Sequence, residues 1–346
     1  MLTKTTHVYA HHDLPLECDV YTQDAASDTH VFLYFHPGGL TDWGREFISP
    51  WFVQVSFLYS SSGAMSKIYL STTKACLQRK WTLISASFRL MPQVGTRGLV
   101  DDVSAAYQFA RSWAVKDGKE RPVLLGGASA GFFNSVLIIN NCSPPPVALL
   151  GICGVHTFRH PFFSSSTLLL PEPIEDADVA EFISRPIEVG KQGVGSLASF
   201  VLEKLLPDGS KNPDYKAPQA PVIQDPPKHP RGHLYEYYVY KNAWLDLVGE
   251  IDAGYAWAKD PGNRQRVENW PPTVLIHGDA DLHVPLATAE QMREYLGDDK
   301  VRLFVANGLH HLYETHYFLE DDEPGMSAIR DALKCFDEIV AAAASE

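Results

Sequence analysis

Eight short runs, most of them apolar almost throughout and rich in β-branched and aromatic residues, punctuate the chain. They are HVYA (7–10), ECDVYT (17–22), HVFLYF (30–35), WTLISASF (81–88), PVLLG (122–126), VALLGIC (147–153), TVLIH (273–277) and VRLFVA (301–306). A strand with one wet face alternates apolar and polar residues. The middle runs lack that alternation, which suits strands covered on both faces in a parallel sheet. Parallel neighbours need crossover connections, and helix-period segments stand between the runs. In LVDDVSAAYQFARSWAVK (99–116), Val103, Ala106, Tyr107 and Ala110 form one stripe, with acids early and a lysine late, as the helix dipole prefers. FFNSVLIIN (132–140), LATAEQMREYL (286–296) and MSAIRDALKCFDEIVAAAA (326–344) read as further helices. The pattern predicts an α/β fold: a mostly parallel eight-stranded sheet, flanked by helices through right-handed crossovers.

Residues 155 to 268 break this rhythm. They hold few clean strands, a serine run (Ser164 to Ser166) and the Pro-rich tract PDGSKNPDYKAPQAPVIQDPPKHPRG (207–232). Proline clusters favour loops and extended linkers. Helical stretches flank the tract, SLASFVLEKLL (196–206) and LYEYYVYKNAWLDLVG (234–249). The expected organisation is a core of residues 1–154 and 269–346 with a mostly helical cap, 155–268, inserted into it. A smaller insertion, VSFLYSSSGAMSKIYLSTTK (55–74), has no clear period and receives no element.

Composition removes several classes of function. The formal net charge is −13 and no block of Lys or Arg occurs, so nucleic acid and anionic membranes are poor partners. The five cysteines, Cys18, Cys76, Cys142, Cys153 and Cys335, are scattered without C-x-x-C spacing, which suits reduced thiols in a cytoplasmic protein. The N-terminal residues lack the apolar core of a secretory signal, and no apolar stretch is long enough to span a membrane.

Four motifs sit at strand ends. Gly127-Ala-Ser129-Ala-Gly131 joins the fifth run to a helix, the context in which a sharp turn exposes a serine hydroxyl. The same letters alone would also fit a glycine-rich turn with a capping serine. FHPGGL (35–40) follows the third run; Gly38 and Gly39 carry no Cβ to block the approach of a ligand to their N–H groups. HGDADLHVP (277–285) offers two acids, Asp279 and Asp281, and NGLHHLYE (307–314) two histidines, His310 and His311. A histidine there suits a general base to Ser129, oriented by an aspartate. The adjacent histidines lack the carboxylate cluster or spaced partner that a metal site needs.

The order Ser…Asp…His, each behind a strand, is that of the α/β hydrolases. The chain resembles the hormone-sensitive-lipase-like esterases of that superfamily, in the style of fungal hydrolases, over nearly its whole length. The resemblance aligns the family's HGGG with His36-Pro37-Gly38-Gly39, and its DYRL with Ser87-Phe88-Arg89-Leu90. It implies Asp281 rather than Asp279 as the acid, and His311 rather than His310 as the base. Three departures stand out: Pro37 for the first glycine, Ser87 for the acid of DYRL, and the insertion at 55–74.

The expectation is a cofactor-free, metal-free serine hydrolase acting on a carboxylic ester of a small or medium molecule. Ser129, Asp281 and His311 would be catalytic, and Gly38, Gly39 and Ala130 would form the oxyanion hole. Tyr235, Tyr238 and Trp244 are the chosen substrate-binding residues, with Tyr237 and Tyr240 further candidates; all of them could instead pack the cap's own helices. Amide or formamide, lactone or thioester hydrolysis, and acyl transfer in a secondary-metabolite pathway use the same triad. A binding protein or a cyclase on this scaffold would leave Ser129 idle.

Overall fold

A computed structural model describes residues 2–22, 30–57, 79, 81–114, 118–191, 202–207, 210–216 and 231–344. Within them run the strands β1 (Thr3–His12), β2 (Leu14–Thr22), β3 (Val31–Phe35), β4 (Thr82–Ala86), β5 (Val123–Ala128), β6 (Ala148–Ile152), β7 (Thr273–Gly278) and β8 (Val301–Ala306). They form one eight-stranded sheet in the order β1-β2-β4-β3-β5-β6-β7-β8. β1 and β2 pair antiparallel, as do β2 and β4; every pairing from β4 to β8 is parallel. The eight sequence runs and the eight strands coincide.

The unalternating strands do have two dry faces. In β3, Val31, Leu33 and Phe35 point into one hydrophobic core, while Phe32 and Tyr34 point into another on the opposite side. The described helices are α1 (Pro50–Phe57), α2 (Gly95–Ser112), α3 (Gly131–Asn141), α4 (Asp176–Ser184), α5 (Leu234–Tyr240), α6 (Trp244–Val248), α7 (Arg264–Glu268), α8 (Leu286–Leu296) and α9 (Met326–Ala343). Helices α2, α3 and α8 line the first core, with Leu99, Val103, Phe133 and Met292 among their contributions. Helices α1 and α9 line the second, through Trp51, Phe52, Ile329 and Phe336. Each such side chain contributes roughly 1.5–3 kcal/mol by leaving water. The polar turn of α2 hides one charge: Asp102, fully buried, takes Arg89 Nη2 at 2.7 Å and the Arg89 backbone N–H at 2.9 Å.

Between β6 and β7 the described residues hold α4 to α7, several short 3-10 turns and none of the named strands. LYEYYVYKNAWLDLVG does not run as one helix. It divides into α5 and α6 because Asn242 takes φ 56°, a left-handed conformation asparagine tolerates. Its amide is also spent on Ser166, accepting from the backbone N–H at 2.7 Å and donating to Oγ at 2.6 Å. Of the stretch 196–206 only 202–206 is described, and Leu202–Lys204 is a 3-10 turn there. The remaining positions of that stretch, most of the Pro-rich tract, residues 58–74 of the smaller insertion and Cys76 lie outside the described residues.

One buried side chain ties this segment down. Arg231 donates from Nε to Thr41 O at 2.6 Å and from Nη2 to Met91 O at 3.0 Å. Its Nη1 reaches Phe182 O at 3.1 Å and pairs with Glu188 at 2.8 Å. A single guanidinium thus links the loop after β3, the loop after β4 and the end of α4.

Candidate active site

The serine stands on the turn between β5 and α3, at φ 50°, a conformation costly for any residue with a Cβ. Close packing holds the strain. A Cβ on Gly127 would lie 2.5 Å from the backbone of Gly131, and one on Gly131 would lie 2.3 Å from Phe35 O. The Ser129 N–H donates to Ile152 O at 2.9 Å and its carbonyl accepts from Val155 N at 2.9 Å. The turn is therefore wedged between β3 and β6, and its hydroxyl reaches the loop after β8.

There it meets His311, whose Nε2 lies 3.0 Å from Ser129 Oγ. The other ring nitrogen, Nδ1, lies 2.6 Å from Asp281 Oδ2. Asp281 Oδ1 accepts the backbone N–H groups of His283 and Val284, each at 2.9 Å. Burial works to raise the Asp281 carboxyl's pKa. Hydrogen bonds from His277 and His311, the charge of His311 and the Val284 N–H outweigh it and hold the group well below the usual carboxylate range. An ionised carboxylate only accepts, so Nδ1 carries the proton and Nε2 presents its lone pair to the serine hydroxyl. That is the tautomer a general base needs.

The neighbours that sequence alone could not separate now differ plainly. Asp279 is exposed and accepts the Gly308 N–H; His310 is exposed and its Nδ1 lies 3.2 Å from the His311 carbonyl. Neither joins the chain of hydrogen bonds.

The loop after β3 presents Gly38 at φ 112° and Gly39 at φ 63°, and a Cβ on Gly38 would fall 2.2 Å from Asp42 O. His36 sets its geometry. Stacked on Phe88 at 4.5 Å, it donates from Nδ1 to Pro37 O at 2.7 Å. Burial pulls its pKa down to about 4, so the ring is neutral at ordinary pH. A trans peptide points its carbonyl and its N–H in opposite directions, so fixing Pro37 O fixes the Gly38 N–H. Thr41 N and Asp42 N, at 3.0 and 2.9 Å, hold Gly38 O and so fix the Gly39 N–H in the same way. Pro37 enters these hydrogen bonds through its carbonyl, so its missing N–H leaves them unchanged. Ser87, where the family has an acid, is buried and accepts from Arg45 at 3.3 Å.

Of the three aromatic residues singled out as substrate-binding, Tyr235 comes nearest this loop. A Cβ on Gly39 would touch its Cβ at 2.7 Å, and its hydroxyl donates to His283 O at 2.6 Å. Trp244 is fully buried, stacked on Phe158 at 4.4 Å, with Tyr235 and Tyr238 at 5.6 and 5.5 Å. Sequence reasoning missed three buried groups around the site. Arg231 was hidden in the Pro-rich tract, while Glu314 and Cys153 carry no local signal at all.

As a sequence, the chain matches no protein-family model and no curated protein. Solved structures do resemble it. An α/β-hydrolase superfamily protein from Enterococcus faecalis aligns with a TM-score of 0.60 at 12% identity, covering 98% of each chain. The chain has the α/β-hydrolase fold. A Staphylococcus aureus protein of unknown function aligns at a TM-score of 0.60 and 18% identity, over 99% of this chain and 98% of that one. Carboxyl esterase 2 of the mycorrhizal fungus Tuber melanosporum aligns at 0.52 and 13% identity, over 99% of this chain and 86% of that one. On this hydrolase sheet, Ser129, Asp281 and His311 follow β5, β7 and β8, at the carboxyl ends of parallel strands where α/β folds place their sites. Among the described residues no helix is long and apolar enough to cross a membrane.

Proposed function

We propose that this chain is a serine hydrolase of the hormone-sensitive-lipase-like esterase group, cleaving a carboxylic ester of a small or medium organic molecule. The observation that carries the reading is the continuous chain Ser129 Oγ–His311 Nε2–His311 Nδ1–Asp281 Oδ2, at 3.0 and 2.6 Å. Ser129 Oγ attacks the acyl carbonyl as His311 Nε2 takes its proton. The oxyanion is held by the N–H groups of Gly38, Gly39 and Ala130, worth roughly 3 kcal/mol each to the transition state. Ala130 opens α3, so the helix dipole adds to the same end. Collapse expels the alcohol, protonated by His311, and water activated by the same ring frees the acid. Asp281 stabilises the imidazolium without being protonated. No cofactor is required, and residues 155–268 act as the cap, with Tyr235 and Tyr238 near the acyl group; Trp244, from its packing, serves as their support.

The test is labelling with a fluorophosphonate, read by intact mass and peptide mapping. One stoichiometric adduct on Ser129 is expected, together with a loss of at least roughly 10⁴ in kcat for Ser129→Ala on any ester the protein turns over. Folded protein without an adduct, or near-normal turnover by Ser129→Ala, would refute the mechanism.

A further inference from the structure

Cys153 follows β6 in a left-handed conformation, φ 45°, and is fully buried with no part in the proposed chemistry. One ligand atom from each of Cys153, Asp281 and His311 lies within 4.8 Å of the other two. We propose that these three side chains form an inhibitory binding site for a thiophilic divalent cation such as zinc or cadmium.

The donor set is one such ions select: a soft thiolate, an imidazole and a carboxylate, with a fourth position left for water. Bonds of about 2.0–2.3 Å to zinc put the ligand atoms of one tetrahedral ion roughly 3.3–3.8 Å apart. Separations of up to 4.8 Å must therefore close by about an ångström at most, while the 2.6 Å Asp281–His311 contact opens. Charge also balances. A thiolate and a carboxylate carry two negative charges, so a divalent ion leaves a buried site neutral.

Coordination redistributes protons in a defined way. The thiol proton leaves to solvent, because a coordinating thiol is deprotonated. His311 stays neutral and binds through Nδ1, the nitrogen facing Asp281, so its single proton moves to Nε2. Nε2 then presents an N–H to Ser129 Oγ and has no lone pair with which to take the hydroxyl proton. The ion therefore stops the triad by trapping the wrong tautomer. The inhibitory half of this inference rests on the proposed hydrolase reading; the binding half does not.

The experiment is a titration of the metal-free full chain with cadmium, followed by the ultraviolet thiolate-to-cadmium charge-transfer band. Wild type is expected to show a component saturating at one equivalent, displaced by zinc and reversed by a chelator. That component is expected to vanish in Cys153→Ser and Cys153→Ala, leaving whatever the other thiols bind, and to weaken about 100-fold in Asp281→Asn. Cadmium is expected to slow fluorophosphonate labelling of wild type and not of Cys153→Ser. The same band in both cysteine variants, no band in folded wild type, or equal inhibition of wild type and Cys153→Ser would overturn the site. A band lost in both variants, in a protein that never labels at Ser129, would sink the hydrolase reading and leave the metal site standing.

Discussion

Glu314 follows the candidate base by three residues and is fully enclosed, with Ser49 Oγ donating to its Oε1 at 3.2 Å. Burial, with a smaller push from the Asp281 charge, raises its carboxyl from an ordinary 4.5 to about 7. A group whose pKa is higher in the fold than in the open chain favours folding when protonated. Its contribution is complete below about pH 4.5, fades as pH rises, and is gone above about pH 7. At about 1.4 kcal/mol per pH unit, the interval is worth about 3 kcal/mol. Glu314→Gln keeps an oxygen for Ser49 and cannot ionise, so its stability lacks this loss. Urea unfolding of both proteins at several pH values between about 4.5 and 8.5 isolates the effect, because other titrating groups cancel in the difference. The variant is expected to gain about 3 kcal/mol on wild type across that range. A difference that stays constant with pH would show that the carboxyl is not held protonated by its surroundings, and the burial argument would fail.

His311→Ala is expected to lower kcat by about 10³ or more and His310→Ala by far less, with Asp281→Asn and Asp279→Asn ranking the same way; a reversed order in steady-state kinetics would refute the assignment. Removing the Arg89 side chain leaves the buried Asp102 with only a backbone N–H and the half-buried His12, at 2.9 Å each, so Arg89→Met is expected to cost about 3 kcal/mol in urea unfolding. A Cβ at Gly131 would sit 2.3 Å from Phe35 O, so Gly131→Ala is expected to lose fluorophosphonate labelling even where the protein remains folded by circular dichroism. Asp281 is held below its ordinary carboxyl pKa, so it stabilises the fold above about pH 4 and that stability drains away on acidification. Asp281→Asn is accordingly expected to flatten the acid limb of the unfolding profile.

The sheet was legible because its strands carry their own signature. β3, β5 and β7 are apolar on both faces, which few other structures permit. Ser129, Asp281 and His311, which the structure brings into one hydrogen-bonded chain, were legible as motifs at strand ends, although choosing between Asp279 and Asp281, or His310 and His311, required the family resemblance. What remained hidden depends on contacts between distant segments. Arg231 lies 190 residues from Thr41, and Ser49 lies 265 from Glu314; no periodicity records such pairings. The break between α5 and α6 turned on one asparagine whose side-chain partner is 76 positions away. The stretch LYEYYVYKNAWLDLVG reads as one helix, but Asn242, a weak helix former, leaves the helical region and bonds Ser166.

Arg231 also bears on how this architecture can be re-engineered. Loops on α/β-hydrolase cores invite exchange, since β6 and β7 are neighbours in the sheet and the chain between them leaves and re-enters side by side. Here the exchange is not free. The carbonyls of Thr41 and Met91 belong to the core, and the guanidinium that satisfies them belongs to the segment that would be removed. A transplanted segment lacking that cation leaves two acceptors dry beside Gly38 and Gly39. A graft that fails to carry an arginine to this position will then misplace the loop after β3, however well its own helices fold.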